Sequence, residues 1–135
     1  MESLNILSGI NWLSVIVVTI LSFILGALWH SPVLFGKLWA REINKDSDKK
    51  VNFKLIFGLS GLSNFAAIVA LAVFIGKNAT LLDGFLKGLI VSIFWVSTSI
   101  AVTYLFASRS LKLFLIDAGF YIVFLSIAGI ILGIW

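Results

Sequence analysis

The chain has 135 residues, of which 61% are hydrophobic and 12% charged, with a formal net charge of +4 and no cysteine. Soluble domains carry about 45–50% apolar residues, so this composition, with a mean hydropathy of +1.14, excludes a soluble globular protein. Without cysteine, disulfides, thiol nucleophiles and thiolate metal sites are excluded as well.

Residues 3–36 contain no charge apart from any on His30, and charge-free runs follow at 55–76, 88–108 and 118–135. Each approaches the roughly 20 residues needed to cross about 30 Å of hydrocarbon. The predicted fold is therefore all-α: one polytopic membrane domain over residues 1–135, with four transmembrane helices near 10–30, 54–76, 85–107 and 112–134. The first apolar run follows Glu2 rather than Lys or Arg and lacks a small-x-small cleavage site, so it is expected to stay attached rather than be removed as a signal.

The first helix runs into the segment Gly26-Ala-Leu-Trp-His-Ser-Pro-Val-Leu-Phe-Gly-Lys-Leu-Trp39, which holds the chain's only His and only Pro. Ser31-Pro32 reads as one helix ending and another starting, with Ser31 as N-cap and Pro32 at the first helical position. Beyond it, Phe35, Leu38, Trp39 and Ile43 share one helical face while Lys37 and Arg41 lie on another. That pattern predicts an interfacial elbow helix near 32–43, lying in the membrane surface. A single helix kinked at Pro32 is the alternative. Trp29 and Trp39 read as interfacial anchors, whereas Trp95 falls mid-helix, where its indole N–H needs a partner.

Residues 41–54 form a polar, mixed-charge connection. Counting along the chain, Lys37, Arg41, Lys45, Lys49, Lys50 and Lys54 lie in the first connection and Arg109 and Lys112 in the third, against Lys77 and Lys87 at the second. The positive-inside rule then puts both termini on the outer side and the elbow in the cytoplasm. Basicity here reports topology and attraction to anionic lipid rather than nucleic acid.

Small residues four apart suggest helix contact faces: Ser22 and Gly26, Ser63 and Ala67, Gly84, Gly88 and Ser92, and Gly129 and Gly133. They predict helix association, within one chain or between copies. Ser63, Asn64, Ser97, Thr98, Ser99, Thr103 and Tyr104 form a polar series on the second and third helices. It reads either as hydroxyls bonded to their own helices and neighbours or as the lining of an inward-facing cavity.

Asp117 is the only acidic residue within the fourth apolar run, about 8 Å deeper than Lys112 at 1.5 Å per residue. It is expected to pair across the bundle with His30, Lys37 or Arg41. Two roles fit such a pair: a clamp holding the elbow to the fourth helix, or a site that handles a proton or ligand. One histidine and no cysteine give no usual zinc site, and neither a phosphate-cradling loop nor a nucleophile elbow is present. No enzyme activity, metal or cofactor is expected.

The chain resembles the domain of unknown function 1761 family of small integral membrane proteins. The resemblance rests on residues 26–39, similar to G-x-x-W-Y-S-P-x-x-F-G-x-x-W, on Phe106-x-x-Arg109-x-Leu-Lys-Leu-Phe-Leu-Ile-Asp117-Ala-Gly119-Phe-Tyr, and on Gly129-x-x-x-Gly133-x-Trp135. His30 stands where the family more usually has Tyr, and Phe120-Tyr121 where it has an aromatic followed by His. The resemblance implies a four-helix protein of the bacterial cytoplasmic membrane and brings no activity. The reading that follows is a structural, lipid-interacting or accessory protein that self-associates; the alternative is a small-solute or ion channel using the polar series.

Overall fold

A computed structural model describes residues 5–43 and 52–135; most of the expected polar connection lies outside them. All regular structure among the described residues is helical. A short helix α1 (Asn5–Ser8) precedes α2 (Trp12–Trp29), the elbow helix α3 (Gly36–Ile43) and α4 (Phe53–Ile75). Next come α5 (Leu81–Val91), a wide π-helical turn (Ser92–Ser97), α6 (Thr98–Phe106) and α7 (Leu111–Ile134). α5, the π turn and α6 run on as one helix, so among the described residues four helices are long and apolar enough to cross a membrane. The protein is a polytopic membrane protein.

Side-chain caps fix where the long helices begin. Asn11, Asn52, Thr80 and Ser110 each accept from the amide three residues on, satisfying a donor the helix leaves open. At Thr80 the cap is reciprocal, because the Asp83 carboxylate accepts from the Thr80 amide at 2.9 Å. The third long helix consequently starts at Leu81 rather than near 85; Asp83 belongs to its first turn and not to the preceding loop. α6 ends with Ser108 in the left-handed region (φ 53°). The Arg109 amide reaches back to the Tyr104 carbonyl at 2.9 Å and closes the turn. Lys87 serves the end of another helix: its Nζ donates to the Ile75 carbonyl at the C-terminus of α4, at 2.8 Å.

The elbow helix begins at Gly36, not near 32, and Ser31 does not cap it. The Ser31 hydroxyl donates to the Leu28 carbonyl at 2.6 Å, an acceptor it shares with its own backbone amide where α2 ends. Residues 31–35 make a tight turn closed by the Phe35 amide on the Trp29 carbonyl at 3.0 Å and the Gly36 amide on the Ser31 carbonyl at 2.9 Å. This turn separates two helices, so α2 is not a kinked rod that continues. A Cβ at Gly36 would strike the His30 carbonyl oxygen, which makes glycine a steric requirement of the elbow.

α7 is the central helix. Its Phe124, Leu125 and Ala128 meet Val15 and Val18 of α2 and Ile68, Leu71 and Ile75 of α4 in one buried cluster. Against α5, α7 makes backbone contact: a Cβ added at Gly84 would strike the Gly129 carbonyl, one at Gly88 the Leu125 carbonyl, and one at Gly129 the Gly84 carbonyl. The small-residue faces of the third and fourth long helices are thus used on each other. Such close approach supports association where lipid gives no hydrophobic drive. On α4, by contrast, Ser63 and Ala67 are exposed. At the far end from the elbow, Asn11 Nδ2 donates to the Trp135 carbonyl at 3.3 Å and ties the start of α2 to the end of α7.

Two glycine substitutions should separate in sign. Gly88→Ala must push α5 off α7 and is expected to cost about 1–3 kcal/mol. Gly58→Ala on α4 has open space around its Cβ and should stabilise by about 0.5–1 kcal/mol. Unfolding of the purified protein in detergent measures both.

Candidate functional site

The start of the elbow, the elbow helix and α7 converge on Asp117. Its side chain is 14% exposed. Trp39, on the inner face of α3, donates its indole N–H to Oδ1 at 3.0 Å. Tyr104, in the last turn of α6, donates its hydroxyl to Oδ2. His30 closes the group, with Nε2 3.8 Å from Oδ1. That distance suits an ion pair if the ring is protonated and is too long for a hydrogen bond.

The other ring nitrogen fixes which form His30 takes. Nδ1 lies 2.9 Å from the Gly26 carbonyl, and a carbonyl can only accept, so Nδ1 carries the hydrogen in that bond. A second proton would go to Nε2, facing the carboxylate. The imidazole is held by rings as well: Trp39 meets it edge-on at 5.3 Å and Phe120 at a tilt at 5.8 Å.

Two further bonds tie the elbow to α7. Trp29 donates its indole N–H to the Ile116 carbonyl at 3.0 Å. Ser110, the cap of α7, donates its hydroxyl to the Glu42 carboxylate at the end of α3. Trp29 and Trp39 are half-buried and spend their N–H groups on α7. The expected partners Lys37 and Arg41 are exposed, and the ion pair found at Asp117 among the described residues is the one to His30. Arg109 and Lys112 are also exposed: Arg109 borders a cleft with Tyr104 and Phe114, Lys112 one with Trp29 and Leu38. Ser31, Pro32, Phe35 and Gly36 shape the turn and touch none of the carboxylate's atoms in the bonds above.

Asp117 also forms part of the wall of a cleft of about 370 Å³, shared with His30, Trp39, Tyr104, Phe120 and Tyr121. Residues 13–133 match a family described as protein of unknown function (DUF1761). The chain belongs to the DUF1761 family. Comparison with curated proteins and with solved structures gave no match. The family description names no activity, so the chemistry of this DUF1761 member rests on its own residues.

The polar series does not gather into one place. Asn64 donates to the Ser22 hydroxyl at 3.0 Å across the α2–α4 seam, while Ser63 faces outward. Ser97 bonds the Ser92 carbonyl inside the π turn, Thr98 the Phe94 carbonyl, and Thr103 the Ser99 carbonyl. Only Tyr104 reaches the Asp117 cleft. Trp95 is 63% exposed, its ring tilted against Phe74.

Sequence reasoning missed Glu42 and Ser110, and met Phe120 and Tyr121 only as positions of the family resemblance. Glu42 follows Trp39 by three residues and so shares its helical face, a signal hidden by the neighbouring basic residues. In a cycle of Trp39→Phe and Asp117→Asn, the coupling energy is expected to be about 1 kcal/mol. Unfolding of the four proteins in detergent gives the value; additivity within a few tenths would mean the bond contributes nothing.

Proposed function

We propose that this protein is a non-enzymatic membrane component of structural or accessory role that seats an anionic lipid at its elbow. One observation carries the reading. On the flank of α3 away from the Asp117 cleft, a cleft of about 360 Å³ runs between elbow and α7, with walls of Trp29, Phe35, Leu38, Leu115, Ile116 and Gly119 and one charged residue, Lys112. Apolar walls suit an acyl chain, and a lysine on them suits a phosphate headgroup. Lys37 and Arg41, exposed on the elbow, add to the attraction for an anionic surface.

The transport alternative loses its main support, because the polar series is dispersed and the hydroxyls of Ser97, Thr98, Ser99 and Thr103 bond their own helix. Self-association belongs to the proposal through the outward Ser63 and Ala67 of α4, since Gly84, Gly88 and Gly129 are used on one another within the chain. The charge asymmetry of the connections favours an elbow on the cytoplasmic face of a bacterial cytoplasmic membrane.

Native mass spectrometry from mixed micelles should show phosphatidylglycerol retained over phosphatidylcholine. Lys112→Ala should lower that preference about five-fold, the equivalent of about 1 kcal/mol for one basic residue; equal retention of both lipids would overturn the reading. For orientation, single cysteines can be placed in this cysteine-free chain. An impermeant thiol reagent should label Lys77→Cys in intact cells and Arg109→Cys only after permeabilisation.

A further inference from the structure

The charge count around Asp117 is incomplete. Trp39 and Tyr104 donate neutral hydrogen bonds, which stabilise a carboxylate without cancelling its charge. Each oxygen retains acceptor capacity after one such bond. Among the described residues the nearest source of positive charge is His30, 3.8 Å away, and the ring supplies it only with both nitrogens protonated. A carboxylate so placed, at the margin of hydrocarbon, gains from a cation beside it.

The space beside it is lined for one kind of cation. Phe120, Tyr121 and Trp39 bring aromatic rings to the same cleft as the carboxylate, and ring faces attract ammonium groups. A volume of about 370 Å³ lies at the lower end of ligand pockets, which run from about 300 to 1,000 Å³. Calcium or magnesium would need about six oxygen ligands, and here one carboxylate stands among rings. An anion would be repelled, and a neutral solute would leave the charge as it is.

We propose that the Asp117 cleft binds a small organic monocation, an amine or quaternary ammonium group, with the charge on Asp117 and its substituents against Phe120, Tyr121 and Trp39. The cleft shares no lining residue with the proposed lipid cleft on the other flank of α3, so the two stand or fall separately. An ammonium group can come from a free amine or from a lipid headgroup, and both offer the same chemistry.

The test uses the full chain in nanodiscs of phosphatidylglycerol, with choline as probe and its uncharged isostere, carbon replacing nitrogen, as control. The readout is the Trp39 indole N–H resonance, assigned by its loss in Trp39→Phe. Choline should shift it saturably, and the isostere should bind roughly ten-fold more weakly. Asp117→Asn should abolish the discrimination; should that variant fail to fold, Tyr121→Leu should weaken choline several-fold and leave the isostere unchanged. Equal binding of the two probes, no saturable shift, or retained discrimination in Asp117→Asn would overturn the proposal. Nanodiscs containing phosphatidylethanolamine identify the source: a resonance already shifted there and less responsive to choline marks a headgroup, an unchanged response a free amine.

Discussion

Backbone meets backbone where Gly84 and Gly88 of α5 face Gly129 of α7, and that contact sets the spacing of the bundle around it. Inside a membrane no hydrophobic force drives one apolar helix onto another, so association rests on close van der Waals approach and on the few polar bonds available. α7 meets α5 through glycine on one side and the Val15, Val18 and Ile68 cluster on another. A central helix fixed from two sides is a rigid base. The elbow is built on it, with Trp29, Trp39 and Glu42 each bonded to α7 or its cap.

Hydrocarbon also offers no hydrogen-bond partners, and the rest of the polar chemistry follows from that. Most hydroxyls of the third long helix turn back to their own carbonyls, Lys87 caps the end of α4, and Asn64 finds Ser22. Asp117 adds a charge to this pattern: its two hydrogen bonds come from the neutral donors Trp39 and Tyr104, and its ion pair among the described residues is with His30. Carboxylates in a membrane are costly enough that a neutral residue would serve a purely mechanical clamp more cheaply.

The number of membrane helices was legible because charge-free runs of about 20 residues have few other physical meanings. Asp117 and His30 also stood out, since an isolated ionisable residue at a given depth narrows its neighbours to those of the same layer. Their pairing with each other was legible; the hydrogen bonds from Trp39 and Tyr104 to Asp117 were not. Indole N–H groups look the same in sequence whether they end at a headgroup or at a carboxylate, so the partners of Trp29 and Trp39 are hidden there. The start of α3 was misplaced for a related reason: Ser-Pro fits both a new helix start and the closing of an old one. The backbone at Gly36, which decides between them, leaves no trace in composition. Which small-residue faces pair was equally hidden, because that depends on helix order around the bundle.

The π turn at Ser92–Ser97 has a consequence for how the two ends of the third long helix are phased. Buried positions along it run Gly84, Gly88, Ser92 and then Ser97, a step of five where the others are four. At about 100° per residue, Tyr104 in an unbroken α-helix would stand roughly 160° around from Gly88, turned away from α7. The wide turn takes up about one residue and returns it to roughly 60°. The helix thus works as two splines on one shaft, indexed separately. One is cut to the glycines of α7 and the other to its carboxylate, with the wide turn as the offset between them.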